Sequence, residues 1–285
     1  MQRSDFRFFE RLRVRWAEID AQQIVFNGHY LTYFDTAVAG YWRALAAPYA
    51  ATMRSLGGDL FVRKATLEYM GSAQYDEVLA IGMRCARIGN SSMTFACGAF
   101  RQDRLLVSGE LVYVFADPEA KVPLPVPPAL RALFESYEAG TSMVEVRVGA
   151  WRDLEAAARP IRAEVFIDEQ KIPAEMEWDD ADTDAVHAVA FNRLGRALGT
   201  GRMLEHVPGV AKIGRMAVAA SSRDGGVGRA VLDALLDAAR ERGDREAVLH
   251  AQLGAAPFYE RAGFVRRGPD FDEAGITHVE MLRVL

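Results

Sequence analysis

The chain has little of what would tie it to a metal, a nucleic acid, a membrane or an oxidising compartment. Only two of its 285 residues are cysteine, Cys85 and Cys97. They flank a turn at Gly89-Asn90 within two β-rich runs, so pairing across a hairpin is geometrically open. A reduced, buried pair is the stronger expectation, because free cysteine packs as a small core residue and nothing else signals secretion. The five histidines are scattered. None stands at zinc-type spacing from another His or Cys, and a closed zinc site needs about four such ligands, so no metal is expected. Basic charge is not in excess: the formal net charge is −5, which removes a chain-wide footprint for nucleic acid. The start, Met1-Gln2-Arg3-Ser4-Asp5-Phe6, lacks the apolar core of a signal peptide, and no later apolar run reaches bilayer length. A cytoplasmic location without membrane attachment is the expectation.

What is present is the composition of a folded protein, 50% hydrophobic and 26% charged, at a length that allows two domains. One stretch reads as a linker. From Asp117 to Pro128 proline recurs, removing amide donors and fixing φ, which excludes a helix interior or a central strand. A short helix fits Ala129 to Tyr137, and a new strand begins at Met143-Val-Glu-Val-Arg-Val148. The boundary falls near residues 138 to 143, giving domains 1–138 and 143–285.

Before the linker, Phe6 to Trp16 reads as a strand. Tyr30, Phe34, Val38, Tyr41, Trp42 and Leu45 recur at helical spacing and predict one long amphipathic helix ending before Gly57-Gly58. Four strands follow: Leu60 to Tyr69, Val78 to Ile88, Met93 to Phe100 and Leu105 to Phe115. A single helix followed by consecutive antiparallel strands argues for an α+β domain whose sheet wraps the helix. After the linker, helices are predicted at Leu154 to Val165, Val227 to Arg240 and Ala255 to Ala262. Strands are predicted at Ala185 to Phe191, Ala197 to Leu204, Lys212 to Val218, Glu246 to His250, Phe264 to Arg267 and Thr277 to Val284. That alternation predicts an α/β domain, a mixed sheet with helices on both faces.

The most informative segment of the second half runs from Lys212 to Arg229. A strand ends near Val218, and Arg223-Asp-Gly-Gly-Val-Gly228 leads straight into a helix with Val227, Val231, Ala234, Leu235 and Ala238 on its apolar face. Glycines at a helix start let backbone amides approach a ligand, and the free amides and helix dipole attract an anion. Arg223 and Arg229 add positive charge, so a pyrophosphate fits; a plain glycine turn for close packing is the bland alternative. Arg-x-x-Gly-x-Gly between a strand and a helix resembles the coenzyme A signature of the GNAT acetyltransferase superfamily. His250-Ala-Gln-Leu-Gly-Ala-Ala-Pro-Phe-Tyr-Glu-Arg-Ala-Gly-Phe264 resembles that family's last block. Val165-Phe-Ile-Asp-Glu-Gln170, Gly199-Thr-Gly-Arg202 and Gly214-Arg-Met-Ala-Val218 are similar to a subgroup of small bacterial members. The resemblance implies acetyl-CoA as co-substrate and a small amine as acceptor. It places the pyrophosphate on the amides of Gly226, Val227, Gly228 and Arg229, and the pantetheine arm along Met216-Ala217-Val218. It makes Tyr259 the acid that protonates the departing thiolate, a fit for a phenol with a pKa near 10; a core aromatic is the alternative. Glu169, His187 and His250 are open candidates for the base. The acidic run Glu175 to Asp184 would steer a cationic amine or simply be a solvated loop.

In the first half, Asp20 lies in the loop joining the first strand to the long helix, near the helix-start amides of Asn27 and Gly28. A carboxylate facing amide donors suits attack on an acyl carbonyl; a loop or N-cap carboxylate is the alternative. This block resembles the hot-dog acyl-CoA thioesterases of the 4-hydroxybenzoyl-CoA type, with motif Asp-x-x-Gly-x-Val-x-x-x-x-Tyr. Asp20, Val25 and Tyr30 match, as does Asp76, while Gln23 replaces the family glycine. The resemblance implies Asp20 as nucleophile or base, the Asn27 amide as oxyanion donor, and at least a homodimer through this domain. His29, in the first helical turn, is read as capping or packing. The combined expectation is acyl-CoA hydrolysis by the first domain and N-acetylation by the second. The alternative is a hot-dog domain that binds acyl-CoA without hydrolysing it.

Overall fold

The computed structural model describes residues 1–285, which form two compact units, Met1–Met143 and Val144–Leu285. The first begins with β1 (Phe8–Arg13), α1 (His29–Ala44) and α2 (Tyr49–Leu56). These are followed by β2 (Asp59–Tyr69), β3 (Val78–Ile88), β4 (Ser92–Arg101), β5 (Arg104–Ala116) and α3 (Pro128–Glu138). The five strands form one antiparallel sheet in the order β1-β3-β4-β5-β2. Of the helical stripe read in the sequence, Tyr30, Phe34, Tyr41, Trp42 and Leu45 are buried and Val38 is half-buried, and Tyr33 and Ala37 join them in the core. Each large side chain so removed from water contributes roughly 1.5–3 kcal/mol. Gly109 makes the close fit possible, since a Cβ there would lie 2.5 Å from a ring carbon of Phe34.

The expected single long helix is corrected to two. Ala46 adopts a left-handed φ of 51° and Pro48 stands as the N-cap of α2. Proline has no amide to continue the α1 ladder and disfavours the helical conformation in the residue before it, so the chain turns and restarts. Cys85 and Cys97 are free thiols; Cys85 faces Phe95 and Cys97 faces Met83 across β3 and β4, two residues out of register with each other. Burial pushes both thiol pKa values above the ordinary cysteine range, that of Cys85 to about 12.

The second unit contains β6 (Val144–Ala150), α4 (Trp151–Arg162), a wide π-type turn over Ala163–Glu169, α5 (Ala174–Glu177) and α6 (Ala181–Asp184). Then come β7 (Val186–Asn192), β8 (Ala197–Val207), β9 (Val210–Val218) and α7 (Val227–Arg242). The chain finishes with β10 (Glu246–Gln252), α8 (Ala256–Arg261), β11 (Val265–Glu273) and β12 (Ile276–Val284). The sheet order is β11-β12-β10-β9-β8-β7-β6, with β9 and β10 parallel and every other pair antiparallel. Leu154 and Ala158 of α4 pack on Val189 and Phe191. α7 sits over the other face, where a Cβ on Gly201 would meet Val231 and Leu235. No helix is long and apolar enough to cross a membrane.

Two irregularities shape the second unit. α4 does not end cleanly at Arg162; it widens into the π-type turn, whose Val165 carbonyl accepts from Gln170 N at 3.1 Å. In β9 a bulge sets Arg215 and Met216 opposite Gly201 alone, with Arg215 at φ 50°. Bulges bend the strand and re-aim side chains, and they favour sheet positions beside functional sites.

Candidate active sites in the two units

In the second unit the register of β9 against β10 runs only from Val210↔Glu246 to Ile213↔Leu249. Beyond that point the strands part, so Gly214–Val218 has no partner on the β10 side. A cleft of about 570 Å³ opens there, lined by Gly214–Val218, Leu249, His250, Gln252 and Tyr259. The bulge in β9 accounts for the divergence: it turns that strand just where the two separate.

At the far end of β9 the chain reaches the start of α7. Gly226 is its N-cap with φ 78°, a conformation that would strain any side chain. The first amide of the helix to find an acceptor is Ala230, onto Gly226 O at 3.0 Å. The amides of Gly226, Val227, Gly228 and Arg229 have no backbone or side-chain acceptor, and together they form a concave group of donors at the positive end of the helix dipole. The two arginines expected to add free charge there are partly neutralised. Arg223 forks onto Glu169 at 2.9 and 2.5 Å and donates to Val218 O at 3.2 Å, while Arg229 pairs with Asp233 at 2.8 Å.

Tyr259 projects from α8 into the same cleft, only 8% exposed, with its ring edge-on to Phe258 and Phe264. Burial raises its phenol to about 12, so it is protonated throughout the neutral range. Its hydroxyl makes no hydrogen bond to the chain. The open edge of β9 and the phenol therefore line one cleft, with Arg223, just ahead of the helix-start amides, also on its wall.

The three candidate bases separate by position. The Arg223 guanidinium occupies Glu169 and holds its carboxyl below the usual range. His187 is buried outside the cleft, its ring 4.7 Å from that of Trp151 and tilted 40° to it, with Nε2 2.9 Å from Asp182 O; burial holds its pKa below the histidine value. His250 lines the cleft on the free part of β10, its Nδ1 3.0 Å from Glu273 Oε2. A carboxylate on Nδ1 fixes the tautomer that leaves Nε2 able to accept a proton. Glu273, on β11, is a site residue that sequence reasoning missed.

The acidic run is a solvated loop only in part: Glu175, Asp179, Asp180 and Asp184 are exposed, and two others are not. Glu177 and Asp182 are 1% and 4% exposed. Arg162, itself 1% exposed, binds Glu177 at 2.5 Å and Asp182 at 2.8 Å, and Arg202 binds Asp182 at 2.8 Å and Asp179 at 2.5 Å. Arg215 joins Glu177 and Asp179, each at 3.1 Å. The signal was present in the sequence as arginines at 162, 202 and 215, but nothing local linked them to the run.

In the first unit the Asp20 loop is closed by an antiparallel bridge between Ile19 and Val25. Asp20 Oδ1 accepts from Gln22 N at 2.8 Å and Ile24 N at 3.4 Å, leaving Oδ2 without a partner in the chain. One carboxylate oxygen thus builds the loop and the other is available. Gln23 holds φ 64°, the left-handed backbone that the family glycine would adopt without strain. The amides of Asn27 and Gly28 have no acceptor, while the Asn27 carbonyl accepts from the Tyr69 hydroxyl at 3.2 Å. Gly28 is the N-cap of α1, and a Cβ there would lie 3.1 Å from Phe26. His29 packs edge-on against Phe26. The remaining motif residues tether the loop: Val25 N donates to Ala73 O, and Ala73 N to the Tyr30 hydroxyl at 3.0 Å. Asp76 pairs with Arg13 at 3.0 Å instead of reaching the loop.

Glu18 was not singled out in the sequence. It is buried and accepts from Tyr33 Oη at 2.6 Å and Arg15 N at 2.7 Å. Burial opposes its charge, but these donors prevail and hold its pKa below the usual carboxylate range. It ties the Asp20 loop to the first turns of α1. No cluster of three or more His, Cys, Asp or Glu side chains in either unit is arranged to hold a metal ion.

Comparison with known proteins assigns the two units separately. Residues 22–108 match the model for the thioesterase superfamily, a span that begins two residues after Asp20, and residues 154–285 match that for the acetyltransferase (GNAT) domain. The chain is 36% identical over 124 residues to the uncharacterized N-acetyltransferase YjcF of Bacillus subtilis (strain 168), covering 43% of this chain and 87% of that protein. It is 31% identical over 96 residues to a candidate esterase of Aquifex aeolicus (strain VF5), covering 34% of this chain and 74% of that protein. The crystal structure of an acyl-CoA N-acyltransferase from Pseudomonas aeruginosa is 30% identical with a TM-score of 0.45, covering 50% of this chain and 99% of that one. Both families bind acyl-CoA. The chain belongs to the hot-dog thioesterase superfamily through its N-terminal unit and to the GNAT acetyltransferases through its C-terminal unit.

Proposed function

We propose that the chain is a bifunctional coenzyme A-thioester enzyme: the N-terminal unit hydrolyses an acyl-CoA, and the C-terminal unit transfers acetyl from acetyl-CoA to a small amine. The observation that carries the second half is the parting of β9 and β10 at Ile213, which opens a cleft lined by Met216–Val218 and Tyr259, with the unpaired amides of Gly226–Arg229 further along the chain at the start of α7. In this reading the diphosphate rests on the helix-start amides and the pantetheine arm lies along Met216–Val218. His250 Nε2 takes a proton from the acceptor ammonium, with Glu273 supporting the imidazolium. The amine nitrogen attacks the thioester carbonyl, the C–S bond breaks, the Tyr259 hydroxyl protonates the departing sulfur, and the second proton that the nitrogen sheds on becoming an amide restores the phenol. In the first unit Asp20 Oδ2 either attacks the acyl carbonyl, giving an anhydride that water then opens, or takes a proton from an attacking water. By either route the C–S bond breaks, coenzyme A leaves as its thiol, and the Asn27 amide receives the carbonyl oxygen. Pairing of two copies along the largely exposed β2 edge follows the hot-dog resemblance.

Free-thiol release from an acyl-CoA panel, measured with and without added amines, tests both halves together. Asp20→Asn is expected to lower amine-independent release by orders of magnitude and to spare amine-dependent release. If both fall together, or neither does, the division of labour is wrong. One observation favours a second reading, in which the hot-dog unit binds acyl-CoA without hydrolysing it: Asp20 already spends one oxygen on its own loop. Wild-type protein that binds acyl-CoA but releases no thiol from any member of the panel would select that reading.

A further inference from the structure

The charges lining the C-terminal cleft do not balance locally. Four carboxylates face it, and each is taken: Glu169 by Arg223, Glu177 by Arg162 and Arg215, Asp179 by Arg202 and Arg215, and Glu273 by His250. Lys212 lines the same cleft, half-buried, and forms no ion pair or hydrogen bond through its ammonium. Arg215 repeats the pattern more weakly, for its buried Nε has no aligned hydrogen-bond acceptor although Glu177 Oε2 is 3.1 Å away. The unmet charge of the cleft is positive.

Position says what that charge is for. Lys212 stands opposite Val248 in the parallel β9–β10 pair, and His250 lies two residues further along β10. Side chains two apart share a face, so Lys212 and His250 are diagonal neighbours over one surface. Lys212 precedes Val218 by six residues, which the bulge shortens to the five steps from Leu204 to Gly199 on β8, a run of roughly 16 Å at about 3.3 Å per residue. The diphosphate nest at the start of α7 is beyond Val218, so the cofactor's own phosphates do not reach this ammonium. An anion at Lys212 would have to arrive with the acceptor.

We infer that the acceptor is a small amine that also carries an anionic group, the anion held by Lys212 while the nitrogen faces His250. The inference rests on the acetyltransferase reading and narrows it: a simple cationic amine or diamine would leave Lys212 unpaired and bring like charge toward it. A site built around a buried or half-buried charge discriminates against analogues that lack the partner.

Matched acceptors test this directly: amino acids against their carboxamides, an aminophosphonate as a second anion, and diamines as the opposite charge class. All are assayed with acetyl-CoA on wild type, Lys212→Met and Lys212→Arg. The expected result is kcat/KM at least about tenfold higher for acid-bearing acceptors in wild type, collapse of that ratio toward one in Lys212→Met, and its recovery in Lys212→Arg. Equal or better use of carboxamides or diamines overturns the inference, as does a preference that Lys212→Met leaves intact. Calorimetric titration of wild type with acetyl-CoA separates the two levels. Binding of acetyl-CoA with no acid-bearing acceptor bound or acetylated overturns this inference alone; no binding of acetyl-CoA removes the acetyltransferase reading with it.

Discussion

Tyr259 shows how one side chain's surroundings set its chemistry. Packed against Phe258 and Phe264, its phenol is raised to about 12. Because the folded value lies above the ordinary value of 10, burial of the neutral phenol stabilises the fold fully below pH 10, and that contribution is lost as pH rises toward 12. Over the neutral range the phenol stays protonated. Tyr259→Phe is expected to lower the acetyl-transfer kcat by about 10²-fold with little change in acetyl-CoA affinity, measured by steady-state kinetics and calorimetry. Unchanged kcat would return Tyr259 to the core. Gln23 makes a different residue-scale point. A left-handed backbone costs a side chain about 1–2 kcal/mol, and glycine's extra unfolded-state freedom takes back roughly 0.5–1 kcal/mol. Gln23→Gly should therefore raise stability modestly in a denaturant melt, and a clear drop would show that the Gln23 side chain holds the loop. Asp20, Tyr259 and the glycines before α7 were legible in the sequence because each sits in a compact motif whose spacing carries its geometry. Glu273 was not, because its partner His250 is 23 residues away and meets it only when β10, β12 and β11 align.

Among elements, the strands were readable almost end to end, since alternating β-branched and aromatic runs are bounded by turn residues. Helix continuity was harder. The apolar spacing of α1 carries on past Leu45, and only Pro48, with the left-handed Ala46 before it, breaks the run. The parting of β9 and β10 was invisible for another reason: a bulge leaves no fixed signature in composition, and strand pairing is a long-range property. The α5–α6 segment was read only in part, because Glu177, Asp179 and Asp182 are neutralised by arginines from α4, β8 and β9 while Glu175, Asp180 and Asp184 stay exposed. Asp182 Oδ1 receives both Arg162 and Arg202 at 2.8 Å. Removing that charge takes one of two carboxylate partners from each guanidinium, leaving Arg162 on Glu177 and Arg202 on Asp179, so the cost falls below that of an unpaired buried charge, at about 1–3 kcal/mol. Asp182→Asn is expected to lower unfolding stability on that scale, read as a shifted denaturant midpoint of the C-terminal unit. A shift within about 0.5 kcal/mol, the scale of an ordinary surface substitution, would mean that the network is not what fixes this wall of the cleft.

At the scale of the molecule, two sheets with separate cores divide the chain at residue 143, each serving a family that works on coenzyme A thioesters. The proline-rich stretch read as a linker lies inside the first unit: Pro123 bridges to Ala116, Val126 N donates to Asn90 O, and α3 follows before the division. The account as a whole depends on the group of unpaired amides from Gly226 to Arg229 receiving the cofactor's diphosphate. Gly228→Asp tests it by setting stability against binding. A Cβ at Gly228 would meet Val218 and Phe258 only at ordinary contact distances of 3.4 Å and beyond, and an acid in the first turn of α7 favours the helix by about 0.3–1 kcal/mol. Calorimetric titration with acetyl-CoA should show binding to the wild-type protein and its loss in Gly228→Asp, with the melting temperature held or raised. Acetyl-CoA bound equally by both proteins would contradict the account.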